Sequence, residues 1–301
     1  MPAPVAPARW IVTGAGGFVA QHLLPLLSVP IALHRPGGAR PVGTMGIPVD
    51  LLDEPSIRRV LAAEAARGPI AGLVHLGGAA AGGGMDPMVE KINVEGALHV
   101  ADALWSLAPQ AAFLQMSTGY VYGERATPAD EAAPLAPLGV YACSKAVAER
   151  ELLRLAAGRR LLCVRAFNHI GPGQGRGYAV ADWARALAAG APSLQTGGLD
   201  AVRDLSDVRE LASALARLVR DPDAWPPVLN LCAGVSLSMR DVLGQLFAVH
   251  GGRAPRVIEG DAGRSRLQQS RGSRALADRL GMPRPRPLRQ TLADVLAAAA
   301  P

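Results

Sequence analysis

The chain has 301 residues, half of them apolar and 19% charged, which suffices for a sizeable core and is too apolar for a disordered polymer. Its net charge of +6 suits an anionic ligand, yet only 4% of residues are aromatic and no basic run is interleaved with them, which argues against a nucleic-acid partner. Cys143, Cys163 and Cys232 are odd in number and, like the six scattered histidines, lack metal-ligand spacing, so no metal site is expected; with no signal-like leader or membrane-length apolar run, the expected location is the cytoplasm, away from membranes.

Trp10-Ile-Val-Thr13 reads as a buried strand running into Gly14-Ala-Gly-Gly-Phe-Val-Ala20 and an apolar helix from about Phe18 to Leu27. Gly14, Gly16 and Gly17 let backbone approach a pyrophosphate, which then sits against the helix N-terminus at Phe18 and Val19. Ala20 fills the third small position of such a turn. A second strand, Pro30–Leu33, ends in His34-Arg35-Pro36 with no acid to hold a ribose 2′-OH. An arginine there suits a 2′-phosphate, so NADP(H) is expected, with Arg35 as its contact and NAD as the other option. The competing reading of Arg35 is a solvent-facing loop residue.

A third short strand is expected to end at Val49-Asp50-Leu51, where Asp50, with Leu51 beside it, is a candidate for the adenine amine. A helix follows from Ser56 to Arg67, then a strand over Ile70–Leu76, after which Gly77-Gly78 can pass close to a cofactor ribose, with Leu76 and Gly77 as the expected contacts. The loop from Ala79 to Asp86 is glycine-rich and nearly devoid of polar side chains. Asn93 falls early in a long helix, Met88–Leu107, either on its surface or bound to backbone or water behind Tyr141, and is counted with the cofactor-binding residues. Strand Phe113–Met116 delivers Ser117 and Thr118, and a further helix runs from Tyr141 through Leu155. Strand–helix units of this length make a doubly wound parallel sheet, an α/β Rossmann arrangement, the economical solution.

After Leu161-Leu-Cys-Val164 the pattern loosens. Arg165-Ala-Phe-Asn-His-Ile-Gly-Pro-Gly-Gln174 reads as a polar loop at a strand's carboxyl end, and Asp200–Val208 as a polar insertion. A helix over Glu210–Val219, a strand over Val228–Cys232 and a helix over Ser238–His250 follow. Residues 253–289 carry ten arginines against three acids, either a solvated surface or part of a diphosphate clamp. The expected domains are 1–165 for the dinucleotide, with 206–235 returning to it, and 166–205 plus 236–301 as a smaller, interleaved substrate domain.

Tyr141 and Lys145 are spaced i, i+4 and so share one helix face. A cation beside a phenol favours its charged form and brings a group that normally titrates near ~10 closer to neutrality. Of 31 basic residues only Lys91 and Lys145 are lysine, so a lysine at this spacing reads as chosen for its compact ammonium. Ser117 or Thr118 could hold a substrate oxygen. Together these outline a proton-transfer site.

The segments Thr13–Ala20, Val74-His-Leu76, Asn93-Val-Glu-Gly96, Ser117-Thr-Gly-Tyr-Val-Tyr-Gly123 and Tyr141-Ala-Cys-Ser-Lys145 resemble the extended short-chain dehydrogenase/reductases, the nucleotide-sugar epimerases, dehydratases and reductases. Arg165–Gln174, Ala201–Arg209 and Leu229-Asn-Leu-Cys-Ala-Gly234 are most similar to the branch of GDP-mannose 4,6-dehydratase and GDP-4-keto-6-deoxy-D-mannose reductase. The resemblance implies that Thr118 bonds the carbonyl, Tyr141 acts as acid or base and Lys145 holds the nicotinamide ribose. It also implies a homodimer paired through the helices beginning near Met88 and Tyr141. Dehydratases of that branch follow the threonine with Asp-Glu; Gly119-Tyr120 stand here, which leaves hydride transfer without elimination. Gly263-Arg-Ser-Arg-Leu267 departs from the branch's Arg-Pro-Ser-Glu stretch. The expected activity is reduction of a nucleotide-linked 4-keto-6-deoxy sugar, with Asn168, Arg203 and Arg264 on the sugar diphosphate. The alternatives are a 4-epimerase holding NAD and a cofactor-binding sensor without turnover.

Overall fold

The computed structural model describes residues 8–79, 87–260 and 268–300. Its chain divides into two compact units: residues 1–118, 139–165 and 212–229 form the first, and 119–138, 166–211 and 230–301 the second. Residues 119–138 thus group with the second unit rather than with the 1–165 block in which they were expected.

The first unit is laid down as β1 (Arg9–Thr13), α1 (Phe18–Leu23), β2 (Val29–His34), β3 (Gly46–Pro48), α2 (Glu54–Ala66), β4 (Ile70–His75), α3 (Pro87–Leu107), β5 (Ala112–Thr118), α4 (Gly139–Ala156) and β6 (Leu161–Ala166). With Val228–Leu231, the tenth strand of the chain, these strands form a parallel sheet in the order 10-6-5-4-1-2-3. The strands are short apolar runs because both faces are covered, and β6 is buried at every position. Ile11, Ile31, Leu73, Phe113 and Cys163 from the strands interlock with Ile57, Leu61, Leu104 and Leu152 from the helices. Local chemistry sets the helix ends. Asp53 caps α2 by accepting the Ser56 N–H at 3.0 Å, with Pro55 in the first turn, so the helix starts two residues before its expected position. Pro25 turns the end of α1 into a short 3-10 turn over Leu24–Leu26.

Strand order reverses beside β1, whose Thr13 pairs with Leu33 of β2 on one side and His75 of β4 on the other. This is the topological switch point at which open α/β sheets take ligands. β3 ends at Pro48, so Asp50 and Leu51 lie in the turn beyond it and not on the expected strand end.

The second unit contains β7 (Asn168–Ile170), α5 (Ala179–Ala188), β8 (Ser193–Thr196), β9 (Val202–Asp207), β11 (Ser236–Ser238), α7 (Met239–His250), β12 (Arg256–Glu259), β13 (Gln269–Ser270), α8 (Ala275–Arg279) and α9 (Leu288–Ala299); α6 (Val208–Leu218) and β10 (Val228–Leu231) divide between the units. β9 pairs with β7, β11 and β13. The two segments expected as polar loops therefore contain strands. Both alternate irregularly and carry charge, which hides short strands from a periodicity argument. Trp183, Leu194, Leu246, Leu292 and Val295 build this unit's own core. Among the described residues no helix is long and apolar enough to cross a membrane.

Candidate active site

At the switch point the loops after β1 and β4 touch. Gly14 has a φ of +66°, and a Cβ there would lie 2.7 Å from the Gly77 nitrogen, so only glycine serves. Thr13 ties the loops together: its Oγ1 accepts the Gly77 N–H at 3.2 Å and lies 2.7 Å from His75 Nδ1. His75 is fully buried, and desolvation, reinforced by the nearby Lys145 charge, pushes its pKa down to about 3, so the ring is neutral. Gly17 caps α1 without a side-chain hydrogen bond, as a helix that offers its first N–H groups to an anion requires. Gly16 lies under the Ala39 carbonyl, which a Cβ would meet at 1.9 Å, so the segment after β2 folds over the glycine turn. Arg35 is exposed in a turn closed by Gly38 N–H on its own carbonyl at 3.0 Å. Asp50 is exposed, and one of its carboxylate oxygens accepts the Leu52 N–H at 3.0 Å. Leu51 lies against both Gly77 and Gly96.

The residues of α3, β5 and α4 converge on one hydrogen-bonded cluster. Asn93 is buried, its Oδ1 accepting the Ala79 N–H at 2.9 Å and its Nδ2 donating to the Ala79 carbonyl at 3.0 Å and the Ser144 hydroxyl at 2.9 Å. Its side chain thus joins the loop after β4 to α4. Of the two expectations for Asn93, the backbone contact is the one observed. Ser144 in turn donates to the Tyr141 carbonyl at 2.8 Å. Lys145 is 5% exposed and donates from Nζ to the Met116 carbonyl at 3.0 Å, fastening α4 to the strand that carries Thr118. Desolvation lowers its pKa to about 8, against the opposing attraction of Glu149. A Cβ on Gly78 would come within 3.2 Å of Nζ, so the loop after β4 passes directly over the ammonium. Tyr141 is half-buried and Thr118 buried.

The second unit encloses a cavity of about 180 Å³ lined by Asn168, Gln174, Tyr178, Arg203 and Met239, among others. Asn168 donates from Nδ2 to the Tyr120 hydroxyl at 2.9 Å, and Gln174 from Nε2 to the His169 carbonyl at 3.1 Å. Their amide oxygens are buried and have no hydrogen-bond partner among the described residues. Arg203 is buried, with Nη1 donating to the carbonyls of Val202 and Gln268 at 2.8 and 3.0 Å. Arg264 and most of the glycine-rich loop, 80–86, lie outside the described residues.

Residues 10–232 match the NAD dependent epimerase/dehydratase family. The chain belongs to that family. It is 34% identical to GDP-6-deoxy-D-mannose reductase of Pseudomonas aeruginosa over 96% of both chains. Among solved structures it is similar to RMD from Pseudomonas aeruginosa complexed with NADPH, with a TM-score of 0.82, 30% identity and coverage of 97% of this chain and 99% of that one. It is also similar to UDP-glucose 4-epimerase of Thermus thermophilus in complex with NAD, with a TM-score of 0.84, 25% identity and coverage of 97% and 98%.

Within this family member, sequence reasoning placed no role on Glu149, Ser144 or His75. Glu149 follows Lys145 at i+4 and so had a readable signal. The same spacing argument that paired Tyr141 with Lys145 extends one turn further. His75 and Gln174 carried no such signal, because their partners, Thr13 and the His169 carbonyl, follow from the folded backbone.

Proposed function

We propose that the chain is an NADPH-dependent reductase of a 4-keto-6-deoxy sugar carried on a nucleoside diphosphate, cytoplasmic and homodimeric. One observation carries this reading: Lys145 lies buried against the strand end bearing Thr118, one helical turn from Tyr141, in a chain similar along its whole length to a reductase of that class. The glycine turn fits a dinucleotide, since backbone at Gly14 and Gly77 meets where a side chain would block it and Gly17 leaves the α1 terminus without a side-chain cap. Gly14, Gly16, Gly17, Phe18 and Val19 would hold the pyrophosphate, Asp50 and Leu51 the adenine, Arg35 the 2′-phosphate, and Leu76, Gly77, Tyr141 and Lys145 the nicotinamide ribose. Asn93 acts through the Ala79 loop. When bound, the cofactor supplies a hydride to the keto carbon. Thr118 donates a hydrogen bond to the oxygen that gains charge, and the Tyr141 hydroxyl gives it a proton, while the Lys145 ammonium favours the resulting phenolate. Asn168 and Arg203, with Arg264, would bind the sugar diphosphate.

Elimination is not part of this reading. A Cβ on Gly119 would fall 2.7 Å from the Phe167 ring, leaving no room for the acid a dehydratase places there. A 4-epimerase is the second reading, favoured by the likeness to the NAD-bound UDP-glucose 4-epimerase. NADPH oxidation should be followed with 4-keto-6-deoxy sugars on GDP, dTDP, CDP and UDP. At least one should turn over, and Tyr141→Phe should lower kcat about 10²–10⁴-fold with NADPH affinity retained. Turnover of none by the wild-type protein, or protein that purifies with bound NAD and interconverts C4 epimers without consuming NADPH, would sink the reductase reading.

A further inference from the structure

The buried Glu149 carboxylate is not used by the chemistry just described. It lies one turn beyond Lys145 on α4 and is 1% exposed. Arg165 of β6 forks onto it, with Nη2 at 2.7 Å and Nε at 3.0 Å from Oε2. The Ser117 hydroxyl, adjacent in the chain to Thr118, donates a hydrogen bond to its other oxygen. An ion pair this deep is a weak source of stability, because desolvating both partners offsets much of their attraction. Its geometry suits another task. A strand turns successive side chains to opposite faces, so a Ser117 anchored to Glu149 fixes the direction in which Thr118 projects. A negative charge one helical turn from a buried ammonium opposes the desolvation that would neutralise it.

We infer that Glu149, braced by Arg165, is a positioning residue that fixes the Ser117–Thr118 strand end and sets the charge of Lys145. The inference deepens the reductase reading and rests on it for its kinetic consequence alone. The titratable and charged groups around Lys145 and this pair are Tyr141 and Glu149 on α4, His75 on β4, and Arg165 and Cys163 on β6. His75 is neutral above about pH 3, and burial with the Glu149 charge pushes the Cys163 thiol far up, so across the working range the carboxylate is the countercharge of consequence. The sign follows. The Lys145 midpoint, already lowered to about 8 by burial, falls further when the carboxylate is lost, and activity that needs the ammonium retreats to lower pH.

The chain's two lysines make this directly measurable. With lysine labelled at 13Cε, Lys145 titrates against exposed Lys91 as an internal reference. In Glu149→Gln the Lys145 midpoint should drop by about one unit or more, a tenfold change in its ionisation equilibrium. The alkaline limb of kcat should move with it, while KM for NADPH changes less. Glu149→Asp, which keeps the charge and shortens the reach, should restore the midpoint while kcat stays low. Should Glu149→Gln fail to fold, the double variant Glu149→Gln/Arg165→Gln removes both buried charges and should show a smaller drop. An unchanged Lys145 midpoint in the folded variants overturns the inference. A wild-type protein without reductase activity would instead strike the proposed function, leaving the lysine titration to be judged by itself.

Discussion

Two polar clusters, one in each unit, handle burial in opposite ways, although the first unit also holds His75 Nε2 and Gln115 Oε1, unsatisfied among the described residues. In the first, Asn93, Ser144, Lys145, Ser117 and Glu149 are bonded to one another or to backbone, so the side chains around the proposed catalytic groups are held in place by the fold. In the second, Asn168 and Gln174 hold amide oxygens without partners among the described residues, beside the cavity. A satisfied buried network rigidifies, whereas an orphaned acceptor keeps a desolvation cost that a donor can relieve. On the proposed function, the difference teaches that the chemistry is preorganised and recognition is left to be completed by the ligand.

His75 allows the largest test of the first half of that comparison. Its unfolded value is the ordinary 6.5 and its folded value about 3, so the unfolded chain binds the extra proton as pH falls. Stability that is fully present above pH 6.5 is lost progressively down to pH 3, a total of about 5 kcal/mol and about 3 kcal/mol by pH 4.5. Urea unfolding at pH 7.5 and 4.5 should show wild-type protein losing about 2–3 kcal/mol more than His75→Gln over that interval. Parallel losses would mean that the Thr13–His75 link tolerates a charge, and the first unit would be less rigid than described.

Asn93→Ala comes next. It strands the N–H and carbonyl of Ala79 and removes a partner from Ser144, a change of about 2–3 kcal/mol in unfolding free energy. NADPH affinity should fall as well, because the loop after β4 loses its tether at Ala79. Normal affinity in a destabilised but folded protein would detach Asn93 from the cofactor loop.

These residues also mark how far the sequence could be read. Gly14, Tyr141 and Lys145 were legible because their chemistry is local: a turn needs a positive φ, and two side chains four apart share a helix face. The parallel sheet was legible from the spacing of its apolar runs. The second unit was harder, since β7 and β9 are short strands inside charged segments and register with one another across nearly forty intervening positions. Gly119 shows the limit most sharply. Sequence marked it as lacking an acid, but only Phe167, brought up by the fold, shows that no side chain would fit.

Gln174→Leu separates the two units in one experiment. Removing an oxygen that has no partner should change stability by less than about 1 kcal/mol, even with the bond to the His169 carbonyl lost. KM for the nucleotide sugar should instead rise about tenfold with kcat nearly constant, as expected when a contact made equally in the ground and transition states is removed. A stability loss comparable to that of Asn93→Ala would show that the amide braces the second unit.

The smallest effect concerns cofactor choice. Arg35 is exposed beside the Gly38 turn, so on the proposed reading its guanidinium would contribute to binding through charge on a solvated phosphate. Arg35→Ala should weaken NADPH about threefold to tenfold and leave NADH unchanged, an increment typical of one charge-assisted bond in a wet setting. The preference should also shrink as salt rises, because an exposed pair is screened over about 10 Å at 0.1 M. Equal weakening of both cofactors would move the discrimination to other groups in the segment after β2, which folds over Gly16 through the Ala39 carbonyl.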